Sequence, residues 1–223
     1  MPDPLHFMTD PLDSPKTRLR PAQRIILASG SPRRKQLLEW AEVEFEIITR
    51  DTAETWPPGL PVPEVPIHIA RNKALAVQQA IAHAAGASRN PSTAASAEPE
   101  PLIVAADTVV VLAGDIIGKP RDRADAIDIL TRLSGNRHDV ITGVALLKGS
   151  TERTFADTTA VWFHDVTRAE IEAYVDRYHP YDKAGAYAIQ EWIGVVGIRR
   201  IEGDFYNVMG LPVSRVVRTL KEF

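Results

Sequence analysis

RIILASGSPRRKQLLEW, residues 24–40, runs from an apolar stretch through a tight glycine turn into a helix. Ile25, Ile26, Leu27 and Ala28 follow one another without polar alternation, as in a buried strand. Ser31 is a good N-cap, and Pro32 suits the first helical position. Leu37, Leu38 and Ala41 then fall on one face. Strand, turn and helix N-terminus in this order place the chain in the α/β class, and the rest of the sequence extends that reading.

Downstream, 45–49 reads as a second strand. Pro57, Pro58, Gly59, Pro61 and Pro63 mark a loop. Ile67, Ala70, Ala74, Val77 and Ile81 recur at steps of three and four, which predicts an amphipathic helix ended by Gly86. Residues 86–101, GASRNPSTAASAEPEP, are small, polar and proline-bearing, and are expected to form a surface loop insertion. LIVAADTVVVL, 102–112, is the most apolar segment and holds one acid, Asp107. Ala113-Gly114-Asp115 turns it back. A helix is expected over 122–133, with Gly135 as its cap. Strands over 140–147 and 154–163 pair around Lys148-Gly149-Ser150. Thr167 and Glu170 form a capping box ahead of Ile171, Tyr174 and Val175. One or two short strands lie within 185–210, and Pro212 opens a last helix. Strands and helices interleave around one hairpin, so the sheet is mixed. Residues 1–22, with five prolines and no apolar core, are expected to be a flexible leader, and 23–223 one domain.

Composition narrows the chemistry. The 223 residues carry a net charge of −3, so no global positive field would hold a nucleic acid. There is no cysteine, which excludes disulfide scaffolds, thiol nucleophiles and cysteine-ligated metals. That composition suits a reducing compartment, and a cytoplasmic location is expected. No apolar run approaches the ~18 residues of a membrane span.

Two features stand out. Ser29-Gly30-Ser31-Pro32-Arg33-Arg34 gathers hydroxyls, guanidiniums and unpaired backbone N–H groups at a helix N-terminus. These are the parts of a phosphate cradle, although not of a Walker A loop. A capped helix with two solvated arginines fits the same residues. The second is Asp107. An acid in so apolar a strand costs several kcal/mol unless it is paired or metal-bound. It is either a satisfied core aspartate or part of a site that holds a metal or activates water. Lys119 sits on a rigid Gly-Lys-Pro turn, and Arg71 and Lys73 lie beside the apolar stripe of their helix. The six histidines lack zinc-ligand spacing, and no serine lies in a nucleophile elbow. A cradle, a buried acid and several lysines point to metal-assisted phosphoryl chemistry. They do not identify a base.

ILASGSPRRKQLL, AADTVVVLAGDIIGKP, LSGNRHDVITGVALL, DKAGAYAIQ and NVMGLP together resemble the motifs of Maf proteins, in order and spacing from about Arg24 to the C-terminus. The resemblance implies an elongated mixed sheet with flanking helices, in two lobes around a cleft, akin to inosine triphosphate pyrophosphatases. It implies hydrolysis of a nucleoside triphosphate between its α and β phosphates, assisted by Mg²⁺ or Mn²⁺. Asp107 falls on the family's catalytic acid and metal position. Ser29, Arg33, Arg34, Lys73 and Lys119 fall on its triphosphate-binding positions. Arg33, Thr108 and Gln190 fall where the family divides by substrate, and resemble the branch acting on dTTP and UTP. A Gln190 amide donates and accepts, which suits an imide edge. Two positions depart from the pattern. Asn72 stands where an acid often precedes the helix lysine, and a second acid could be Asp51 or Glu54. Maf proteins are often homodimers. The other readings are a non-catalytic nucleotide-binding regulator of cell division and a house-cleaning enzyme for inosine or xanthosine triphosphate.

Overall fold

The structure, a computed structural model, describes residues 23–87 and 99–223. The expected leader, 1–22, and most of the expected loop, 88–98, lie outside the described residues. The elements run β1 (Ile25–Leu27), α1 (Pro32–Trp40), β2 (Glu46–Ile47), α2 (Glu64–Ala87), β3 (Leu102–Leu112), β4 (Asp115–Ile117), α3 (Arg123–Leu133), β5 (Arg137–Lys148), β6 (Thr151–Phe163), α4 (Arg168–Tyr178), α5 (Trp192–Gly197), β7 (Ile198–Glu202), α6 (Phe205–Met209) and α7 (Val213–Leu220). The seven strands form one mixed sheet in the order β2-β1-β3-β5-β6-β7, with β4 beside β3. β1 runs parallel to β2 and β3, and the other pairings are antiparallel. The expected mixed α/β class is borne out.

β3 is apolar apart from Asp107 and Thr108 because helices cover both faces of the sheet. Its side chains alternate. Ile103 and Ala105 meet Ala70, Ala74 and Val77 of α2. Val109 and Val111 meet Val65 and Ile69 nearer the start of that helix. Leu102, Val104, Ala106 and Val110 face the opposite core, with Leu130, Leu133, Ile171 and Tyr174 of α3 and α4.

Several boundaries differ from expectation. α2 begins at Glu64 and continues through Gly86 to Ala87. Pro66 lies in its first turn, where a missing N–H costs no helical bond, and a glycine inside a helix costs only about 1 kcal/mol. β2 has only two residues. β5 starts at Arg137 because its polar first residues still pair with β6, Arg137 opposite Trp162. The C-cap of α3 is Ser134, and Gly135, at φ 70°, is the residue beyond it. The capping box at Thr167 and Glu170 is present. No helix among the described residues is long and apolar enough to cross a membrane.

His138 of β5 is buried, and its Nε2 lies 2.8 Å from the Tyr187 hydroxyl. Burial, helped by the Arg137 charge, lowers its pKa from 6.5 to about 4. Between those values the unfolded chain binds a proton that the folded chain excludes. Stability therefore rises with pH across this window and is lost as pH falls from 6.5 toward 4, by on the order of 3 kcal/mol. His138→Gln should flatten the difference between urea midpoints at pH 7.5 and pH 5.

Candidate functional site

β3 has a gap along one edge. Residues 102–104 pair with β1, and 110–112 pair with β4. Between them, 105–109 have no strand neighbour on that side among the described residues, while β5 runs unbroken along the other. β1 has by then turned away at Ser29 into α1. Asp107 and Thr108 lie in this notch. Successive strand side chains point to opposite faces. At a notch both faces open onto one space, so both residues line a single cleft of about 320 Å³.

The eight residues singled out in the sequence all line that cleft: Ser29, Arg33, Arg34, Lys73, Asp107, Thr108, Lys119 and Gln190. Asp107 accepts from Lys73 Nζ at 2.7 Å through Oδ1. The same ammonium donates to Glu54 Oε1 at 2.8 Å, and Lys119 donates to Glu54 Oε2 at 3.0 Å. Of the two candidates for a second acid, Glu54 therefore lines the cleft, and Asp51 is exposed and does not. Burial acts to raise the Glu54 pKa, but hydrogen bonds from Lys73 and Lys119, with their charges, outweigh it and bring it to about 2. Asn72 instead lies 3.0 Å from His68.

The turn at 29–34 is held from inside. Ser29 Oγ accepts from Ser31 N at 3.3 Å and from Arg34 Nη1 at 3.1 Å. Both lone pairs are then engaged, and the hydroxyl proton is left to donate, as a phosphate oxygen requires. Ser31 occupies the N-cap of α1 but makes no side-chain cap bond, so its helix N–H groups stay available. Arg34 also donates through Nε to the Gly210 carbonyl at 2.8 Å and through Nη2 to Thr108 Oγ1 at 3.0 Å. Burial is the main influence on its guanidinium and lowers its pKa, against the raising charge of Asp107. Arg34 anchors the turn to β3 and to the end of α6. Arg33 reaches across to Asp182 at 3.3 Å.

Sequence reasoning missed Lys183. It is buried, lines the cleft, donates to Asp182 at 2.8 Å and lies 3.6 Å from Glu191. Glu191 in turn accepts from the Tyr174 hydroxyl. These contacts brace the segment bearing Gln190, whose side chain is exposed. The available signal was the motif DKAGAYAIQ, which carries both Lys183 and Gln190.

A match to the family described as Maf-like protein covers residues 24–223. The chain belongs to the Maf family. Relatives of this Maf chain include a dTTP/UTP pyrophosphatase of Cytophaga hutchinsonii, 46% identical over 89% of this chain and 83% of its own length. The protein of the same name from Porphyromonas gingivalis is 43% identical over 90% and 94%. That of Bacteroides fragilis (strain ATCC 25285) is 44% identical over 89% and 95%. A solved structure, the Staphylococcus aureus Ham1 protein, is similar over 64% of this Maf chain and 73% of its own, at 14% identity and a TM-score of 0.41, too slight a likeness to bear on function.

Proposed function

We propose that the protein hydrolyses dTTP and UTP to the nucleoside monophosphate and pyrophosphate. The observation that carries this reading is one carboxylate, Asp107, held by Lys73 at the centre of a cationic cleft. Relatives more than 40% identical are named for that activity. The phosphates lie against the turn at Ser29, with Arg33, Lys73 and Lys119 neutralising charge. Asp107 Oδ1 is fixed by Lys73, and Oδ2 has no protein partner among the described residues. That oxygen takes the proton of a water, whose oxygen adds to the α-phosphorus as the bridge to the β-phosphate breaks. Positioning and electrostatic stabilisation supply most of the acceleration.

The cleft fits a divalent cation. Arg33, Arg34, Lys73, Lys119 and Lys183 face Glu54, Asp107 and Asp182, which leaves two positive charges. A triphosphate carries about four negative charges, so one Mg²⁺ or Mn²⁺ makes up the difference. Among the described residues no cluster of three or more acids or histidines forms a ready metal cage. Mg²⁺ commonly uses one or two carboxylates together with substrate oxygens, and Asp107 and Glu54 would be those carboxylates. Once bound, the ion would neutralise charge developing on the phosphates.

Pyrophosphate release from dTTP, UTP, CTP, ITP and 7-methyl-GTP with Mg²⁺ tests the reading. Turnover of dTTP and UTP should exceed that of the others about tenfold or more, stop on chelation, and return with Mg²⁺ or Mn²⁺. No pyrophosphate from UTP above a protein-free control would overturn it. We place this activity in the cytoplasm.

A further inference from the structure

Thr142 of β5 is fully buried one strand behind Thr108. Its hydroxyl lies 3.0 Å from the Asn207 carbonyl and 2.9 Å from the Thr108 hydroxyl. A carbonyl only accepts and a hydroxyl has one proton. The Thr142 proton therefore goes to Asn207, and between the two hydroxyls Thr108 is the donor. Thr108 in turn accepts from Arg34 Nη2 at 3.0 Å, and a guanidinium only donates. The order of protons is thus settled from Arg34 through Thr108 and Thr142 to Asn207. Thr108 retains one lone pair and no proton for anything that enters the cleft.

The end of this chain is rigid. The Asn207 carbonyl also accepts from Gly210 N at 3.0 Å. The Asn207 amide donates to the Val140 carbonyl and to Thr159 Oγ1, each at 3.0 Å. Turning the Thr108 hydroxyl would leave a buried Thr142 oxygen without its proton donor.

We infer that Thr142 is a positioning residue that holds Thr108 as an acceptor-only reader of the base. Uracil and thymine present one donor on their pairing edge, the N3–H between two carbonyls, and the Thr108 lone pair accepts it. Cytosine presents a bare N3, which meets that lone pair as one acceptor meets another. The selection of imide pyrimidines over cytosine is written in a hydroxyl that touches no substrate. The inference rests on the pyrimidine triphosphate reading above.

The test compares kcat/KM for UTP and CTP, and the Kd of their non-hydrolysable α,β-imido analogues, in four proteins. Wild type should prefer uracil. Thr142→Val frees the Thr108 proton to turn toward cytosine N3, and the UTP-to-CTP ratio should fall about tenfold or more. Thr142→Ser keeps the hydroxyl and should keep the wild-type ratio. Thr108→Val should lose the preference as well. A merely structural defect would lower both substrates together and leave the ratio unchanged. Should Thr142→Val fail to fold, Thr142→Cys, with a weak donor and acceptor in similar bulk, replaces it. An unchanged ratio in the Thr142 variant, or no uracil preference in wild type, overturns the inference. Absence of hydrolysis with the binding ratios intact would sink the pyrophosphatase reading alone.

Discussion

Asp107→Asn should fold as the parent does and release pyrophosphate more slowly by a factor on the order of 10²–10⁴. The substitution changes almost no volume in a strand whose neighbours Ala105, Ala106 and Val109 are all buried. The amide oxygen can still accept from Lys73, and Lys73 keeps its second partner, Glu54, at 2.8 Å. What is lost is an oxygen able to take a proton. Calorimetry should place Tm within a few degrees of wild type, and nucleotide affinity should persist. Turnover within threefold of wild type would remove Asp107 from the role of base.

Gly143→Ala should be strongly destabilising for the addition of a single methyl. Gly143 sits directly opposite Asp107 in the β3–β5 register, beneath the first turn of α2. A Cβ there would come within 2.6 Å of the Pro66 carbonyl oxygen, and closer still to Pro66 C and Ile67 N. These are backbone atoms, which cannot swing aside as a side-chain end can. Overpacking of this kind costs about 1–3 kcal/mol, or roughly 2–12 °C in Tm at this chain length. The helix would have to lift, and it carries Lys73. Pyrophosphate release should therefore fall along with Tm in differential scanning calorimetry. A Tm within 1 °C of wild type would show that α2 does not depend on that close approach.

Much of the site was legible because its signals are local. Ser31-Pro32 marked a helix start, and the Ser29–Arg34 cluster placed donors at that point. Asp107 was conspicuous by its company: a carboxylate among apolar neighbours needs a reason whatever the fold. Lys73 and Lys119 are different. Nothing about either lysine alone separates it from a solvated surface residue, and only the family resemblance singled them out. Glu54 could not be told from Asp51, because both lie in a loop without periodicity. Lys183 passed unremarked for a related reason. Its burial between Asp182 and Glu191 depends on the turn after α4 folding back against the cleft.

The sequence by itself determined the long strands and helices, the turn at 29–34 and the acid at the centre, since each follows from propensity, periodicity or desolvation over a dozen residues; the short helices α5 and α6, where only strands were expected, were not among them. Tertiary structure alone decided three things: the notch between β1 and β4, the choice of Glu54 as the acid between Lys73 and Lys119, and the direction in which the Thr108 proton points. The reason is physical. Strand pairing, ion pairing and hydroxyl orientation are set by partners from distant parts of the chain, here residues 34, 108, 142 and 207, whose meeting no local pattern encodes.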